Sequence, residues 1–131
     1  MNLNNLTLKS QEAIQQAQQI ALGNGNPAIE NGHLLKGILE VDENVFPFLF
    51  KKLNVNLPVF KQALDKIVEG YPKASNANGQ YLSPQANQAL LKANTYLKDF
   101  KDEYVSIEHL LLGILSTNDT MAQLIKDNGV T

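Results

Sequence analysis

Residues 33–39 read HLLKGIL and residues 109–115 read HLLLGIL. Six of the seven positions agree, seventy-six residues apart in a chain of 131. In each copy the apolar residues fall three and four apart, the spacing of one helix face. Leu34, Leu35, Ile38 and Leu39 are therefore expected inside, and their four counterparts likewise. A glycine in a helix interior costs about 1 kcal/mol relative to alanine. Its presence at both Gly37 and Gly113 predicts close approach of a second helix at each. The two copies are expected about a pseudo-twofold axis, with these helices near the centre.

Working outward, the same offset aligns Leu6-Thr7 with Leu82-Ser83, Ala13-Ile14 with Ala89-Leu90, Ala17 with Ala93, and Ile29 with Val105. Past the heptapeptide the offset becomes 75, so that Leu49 meets Leu124, Asn54 meets Gly129 and Val55 meets Val130. A repeat this long is a duplicated supersecondary unit rather than a short solenoid repeat. The expected organisation is one domain over 1–131, with repeat one at 3–70, a polar linker YPKASNANGQY at 71–81, and repeat two at 82–131.

Each unit reads as helical, and the fold class as all-α with about four helices per repeat, the second copy truncated. Ser10, Ala13, Ile14, Ala17, Ile20 and Ala21 form one apolar stripe, with Glu12, Gln15, Gln16 and Gln19 opposite. Thr7 is the expected N-cap and Gly23 the expected stop. In the second unit Ser83 caps, Pro84 takes the first helical position, and Ala86, Ala89, Leu90, Ala93 and Leu97 make the stripe. Second helices are expected near 31–41 and 106–117, the latter capped by Ser106. Third helices carry Val45, Phe48 and Leu49, or Met121, Leu124 and Ile125. A fourth, near 57–70, has Leu57, Phe60, Leu64, Ile67 and Val68. At the offset of 75 Asn56 meets Thr131, so that helix has no second copy, and the chain reads as an excised domain or part of a longer protein.

Composition closes several functional classes. Hydrophobic residues make up 44%, enough for a packed core. A net charge of −2, from 11 basic and 13 acidic residues, gives no electrostatic drive toward nucleic acid or an anionic membrane. Without cysteine there are no disulfides or thiolate sites. The N-terminus lacks a signal-peptide pattern, and no apolar run reaches the roughly 20 residues of a membrane span, so the reading is a soluble cytoplasmic protein.

No P-loop, dinucleotide fingerprint or H-E-x-x-H is present. The two histidines, His33 and His109, are too few for a histidine cage and are expected to begin helices with ring hydrogen bonds to nearby backbone. The carboxylates are scattered, with no pair singled out for acid–base work. Catalytic and metal sites are accordingly expected to be absent, and no cofactor is expected in this segment.

The duplicated alanine-striped helix, followed by H-L-L-x-G-I-L and a closing Gly-Val, resembles the Clp N-terminal repeat domain, which precedes the ATPase modules of the Clp/Hsp100 unfoldases. The likeness covers 3–131. The segment NPAIENGHLL (26–35) is similar to the I-E-P-x-H-L pattern of the ClpB disaggregases. In ClpC-type relatives a glutamate precedes each histidine and the pair reads phosphoarginine. Here Glu108 fits that position and Gly32 occupies the other, so half the pair is missing.

What the resemblance implies is chaperone work: contact with unfolded or aggregated protein clients, threaded through an ATPase ring together with the Hsp70 system. Polar positions implicated in client contact carry over as Thr7, Asp102 and Glu108. Lys92, Tyr96 and His109 stand where ClpB relatives often have leucines lining the client groove. The isolated domain is expected to be monomeric; the full-length protein is expected to be a hexameric ATPase that uses ATP. Two alternatives stay open: the adaptor-docking N-domain of a ClpC- or ClpA-like protease component, and a free-standing Clp N-domain protein.

Overall fold

The computed structural model describes residues 6–42, 45–52, 54–73, 81–100, 104, 106–117 and 123–124. Helix α1 spans Leu8–Gly23, strand β1 Ala28–Ile29, helix α2 Asn31–Val41, α3 Val45–Lys52, α4 Leu57–Glu69, strand β2 Tyr81–Leu82, α5 Pro84–Phe100 and α6 Ile107–Leu115. The domain is all-α apart from the two short strands. Of the third helix expected in the second copy, only 123–124 fall within the described residues, and both are helical there.

The helix starts follow from their side chains. Thr7 Oγ1 accepts the N–H of Ser10 at 3.1 Å, and Ser83 Oγ accepts that of Ala86 at 3.0 Å. These two caps sit at equivalent repeat positions, and each satisfies an N–H the helix leaves unpaired. Asn56 does the same for Val59 at 3.1 Å, with Pro58 in the first turn of α4.

Helix ends were less faithfully signalled. Gly23 is the last residue of α1 rather than its stop. The chain turns two residues later at Gly25, whose φ is +70°, with Asn26 N–H donating to Ala21 O at 2.9 Å. That six-residue closure around a left-handed residue is a Schellman cap. The same device ends α3. Asn54 has φ +58°, Asn54 N–H donates to Lys51 O at 3.2 Å, and Val55 N–H donates to Phe50 O at 2.9 Å. The repeat puts Gly129-Val130 at the sequence positions of Asn54-Val55, and Asn and Gly are the residues that tolerate the left-handed region.

Packing explains the duplicated heptapeptide. Helix α2 lies against α1 and α6 against α5, and each close approach runs through a glycine. A Cβ on Gly37 would collide with the carbonyl oxygen of Ala13 and lie 3.1 Å from Ala17 N. A Cβ on Gly113 would collide with the carbonyl oxygen of Ala89 and lie 3.1 Å from Ala93 N. The alanine stripes of α1 and α5 are thus the surfaces onto which the glycines press.

The two repeats share one core. Ala13, Ile14, Leu34 and Ile38 meet Ala89, Leu90, Leu110 and Ile114 across a seam that admits no water. These are four pairs of residues each 76 apart in sequence, so equivalent positions of the two copies meet at this seam. Phe50 and Phe60, both buried, stack edge to face at 4.9 Å and fix α4 beside α3.

The strands were not anticipated. Tyr81, read from sequence as the end of the linker, is the first residue of β2. It pairs in parallel with Ala28, as Leu82 does with Ile29. A two-residue strand carries no readable period. Its effect is to hold the start of repeat two beside the entry to α2, and Asn31 reinforces this by donating to Gln85 O and Thr117 Oγ1, each at 3.4 Å.

Candidate functional site

Both histidines occupy the third position of their helices, where an ordinary capping box carries Glu or Gln. His33 Nδ1 accepts the N–H of Glu30 at 2.9 Å, and His109 Nδ1 accepts the N–H of Ser106 at 2.9 Å. Helices α2 and α6 therefore begin with the same reciprocal cap. His33 is fully buried and its Nε2 lies 2.9 Å from Asn26 Oδ1. Burial pushes its pKa down to about 4, and the charge of Lys36 adds in the same direction.

The residues before the histidines differ between repeats, and the structure gives the reason on one side. Gly32 is buried beneath Tyr71, whose hydroxyl accepts the Gly32 N–H at 3.2 Å. A Cβ at position 32 would lie 2.5 Å from that hydroxyl oxygen and 3.0 Å from the ring. In repeat one, then, a tyrosine just past the end of α4 fills the space that a side chain at position 32 would need.

The candidate client-contacting residues are distributed as follows. Thr7 is half-buried at the N-cap of α1, its hydroxyl also donating to Ser10 Oγ at 3.0 Å. Lys92 is exposed on α5, with Tyr96 one turn further along the same helix; the Tyr96 side chain lies outside the described residues. Glu108 is the second residue of α6, its side chain also outside the described residues, as is the whole of Asp102. By the offset of 76, Asp102 stands at the position of Asn26. His109 is 6% exposed and engaged in the cap of α6.

What the sequence reading passed over is a set of exposed apolar side chains beside these polar positions. Leu8 follows Thr7 and is 77% exposed, Leu91 precedes Lys92 and is 54% exposed, and Tyr104, two residues after Asp102, is 53% exposed. The signal was available for Leu8 and Leu91: each falls off the apolar stripe of its helix, where a polar residue is the ordinary choice. Elsewhere, a groove of about 310 Å³ between α2 and α4 is edged by Lys36, Glu40, Lys61 and Asp65, with Lys36 and Asp65 paired at 3.0 Å. Among the described residues no group of three acids or histidines is placed to hold a metal, and no helix is long and apolar enough to cross a membrane.

Comparison with known proteins agrees with this architecture. Residues 5–128 match the family described as the Clp repeat (R) N-terminal domain. The chain is 44% identical over its full 131 residues to the chaperone protein ClpB of Bacteroides thetaiotaomicron and 43% identical to that of Porphyromonas gingivalis, spanning 15% of the length of each. Among solved structures, the Hsp104 N-terminal domain from Candida albicans superposes with a TM-score of 0.87 at 22% identity, over 98% of this chain and 84% of that one. A ClpV N-domain in complex with a VipB peptide superposes with a TM-score of 0.77 at 16% identity, over 100% and 84%. The match over residues 5–128 shows that the chain belongs to the Clp N-terminal repeat domain family.

Proposed function

We propose that the chain is the client-binding N-terminal domain of a ClpB-like, ATP-dependent disaggregase, contacting unfolded or aggregated polypeptides in the cytoplasm. The observation that carries this is the 44% identity to a ClpB chaperone across every residue of the chain. The exposed Leu8, Leu91 and Tyr104, which stand close in sequence to Thr7, Lys92 and Asp102, supply the chemistry such contact needs. Apolar side chains gain from covering a client's exposed hydrophobic segments, while neighbouring polar groups bond its unpaired backbone. ATP binding and hydrolysis, hexamer formation and cooperation with an Hsp70 system belong to the rest of the full-length protein.

The reading is tested by titrating the domain with a permanently unfolded polypeptide and with the same polypeptide folded. Binding of the unfolded form that is weakened by Leu91→Ser is expected. Equal or exclusive binding of folded proteins would favour the adaptor-docking alternative instead.

A further inference from the structure

The buried histidine of repeat one closes a circuit that joins three separate pieces of chain. His33 Nδ1 accepts the Glu30 N–H at 2.9 Å, so that nitrogen carries no proton and the ring's one hydrogen sits on Nε2. Nε2–H then donates to Asn26 Oδ1 at 2.9 Å. This fixes the Asn26 amide so that its Nδ2 donates to Pro72 O at 2.9 Å and to Tyr71 O at 3.4 Å. Tyr71 returns over the histidine, ring centroids 5.1 Å apart, and its hydroxyl accepts the Gly32 N–H. The turn after α1, the cap and first turn of α2, and the chain leaving α4 are thereby held by one imidazole.

The circuit depends on which atoms carry protons. A second proton on His33 must go to Nδ1, where it would point at the Glu30 N–H and turn an acceptor into an opposing donor. Neither ring partner, a backbone N–H and a neutral amide, can balance the new charge. Among the described residues, the charged and titratable groups around the ring are the Glu30 side chain, which accepts the His33 backbone N–H in the capping box, Lys36 one turn on, and the Tyr71 phenol. Lys36 opposes a positive ring, and Glu30 is already committed to the helix start.

We propose that His33 is an acid-operated clasp: neutral, it ties residues 71–72 to the front of α2, and a second proton releases them. Residues 71–73 lead directly into the sequence that joins the two repeats, so the clasp governs how firmly that junction is held to repeat one. The position of the ring pKa, about 4 in the folded chain against 6.5 for a free histidine, sets the working range. Because the folded state resists the proton, the clasp is at full strength above pH about 6.5 and weakens steadily as pH falls toward 4.

The test is a pH series on the whole chain by NMR, from pH 7.5 to 3.5, following the His33 imidazole and the exchange of backbone amides. The Glu30 and Gly32 amides should open on the order of 10²-fold more readily at pH 4 than at pH 6.5, while amides of Ile38 and Ile114 in the central seam stay protected. His33→Gln keeps the cap, since Gln is an ordinary capping-box residue, but cannot titrate; its Glu30 and Gly32 amides should lose the acid response. Should that variant not fold, Tyr71→Phe leaves the histidine intact and should expose the Gly32 amide at neutral pH. An imidazole that titrates near 6.5, opening that spreads at once to the seam amides, or an acid response that survives in His33→Gln would each overturn the proposal.

Discussion

The α-carbon of Gly113 faces the carbonyl oxygen of Ala89 so closely that no side chain fits between them, and Gly37 faces Ala13 in the same way. Both contacts are backbone against glycine, so neither can be relieved by a side-chain rotation. Replacing a helix glycine by alanine ordinarily gains about 1 kcal/mol from propensity. Here Gly113→Ala should instead destabilise by about 1–3 kcal/mol or more, because α5 and α6 must separate to admit the methyl. Gly37→Ala should behave alike. Thermal unfolding monitored by circular dichroism checks this, and a raised melting temperature in either variant would show that the helices are not in backbone contact.

A second prediction concerns Gly32 and Tyr71. The obstruction at position 32 is the far end of one side chain, which can move, so Gly32→Ala should cost less than Gly113→Ala. Tyr71→Ala alone removes the ring from beside His33 and leaves the Gly32 N–H to water, a loss of about 1–3 kcal/mol. The two substitutions together should cost less than the sum of their separate costs, by about 0.5–3 kcal/mol, as expected of residues in contact. Strict additivity in a double-mutant cycle would mean that Tyr71 does not cover position 32 in solution.

How much of this was legible beforehand depends on the range of the signal. The caps at Thr7 and Ser83 and the glycine contacts could be read because each is announced by residue type at a fixed place in a repeat. The strands could not, since two residues contain no alternation to detect. Gly23 drew attention as a helix stop only because it comes first; Gly25, two residues later, takes the left-handed conformation. Tyr71 over Gly32 was beyond reach, because the residues are 39 apart and nothing local in either segment marks the contact. The exposed Leu8 and Leu91 were overlooked for a different reason: a single surface leucine is common enough to pass without comment.

The left-handed residue after α3 offers a third prediction. Asn54, at φ +58°, ends its helix where repeat two carries Gly129. Asn54→Gly should leave stability within about 0.5 kcal/mol of the parent, since glycine takes this conformation freely. Asn54→Ala should cost about 1 kcal/mol, the penalty of placing a Cβ residue in the left-handed region. Chemical denaturation distinguishes them, and equal losses for Ala and Gly would point to the asparagine side chain rather than to its backbone.

The final prediction separates structure from function at Thr7. Its hydroxyl caps α1, so any loss of client binding in Thr7→Ala could be a folding effect. The repeat supplies the control. Ser83 makes the same bond to Ala86 that Thr7 makes to Ser10, at 3.0 and 3.1 Å. Losing either cap should cost about 1 kcal/mol. Thr7→Ala and Ser83→Ala should therefore lower the melting temperature by similar amounts, and Thr7→Ser should lower it little. If Thr7 contacts clients, Thr7→Ala weakens binding of an unfolded polypeptide while Ser83→Ala, equally destabilised and largely buried, does not. Asp102→Ala and Glu108→Ala should join Thr7→Ala in weakening binding at a near-parental melting temperature. A loss that fades at high salt would assign their effect to charge, because exposed charges are screened beyond about 10 Å at 0.1 M salt. Matching binding losses for Thr7→Ala and Ser83→Ala, with none for Asp102→Ala and Glu108→Ala, would return all three positions to a purely structural role and leave Leu8, Leu91 and Tyr104 as the client-contacting surface.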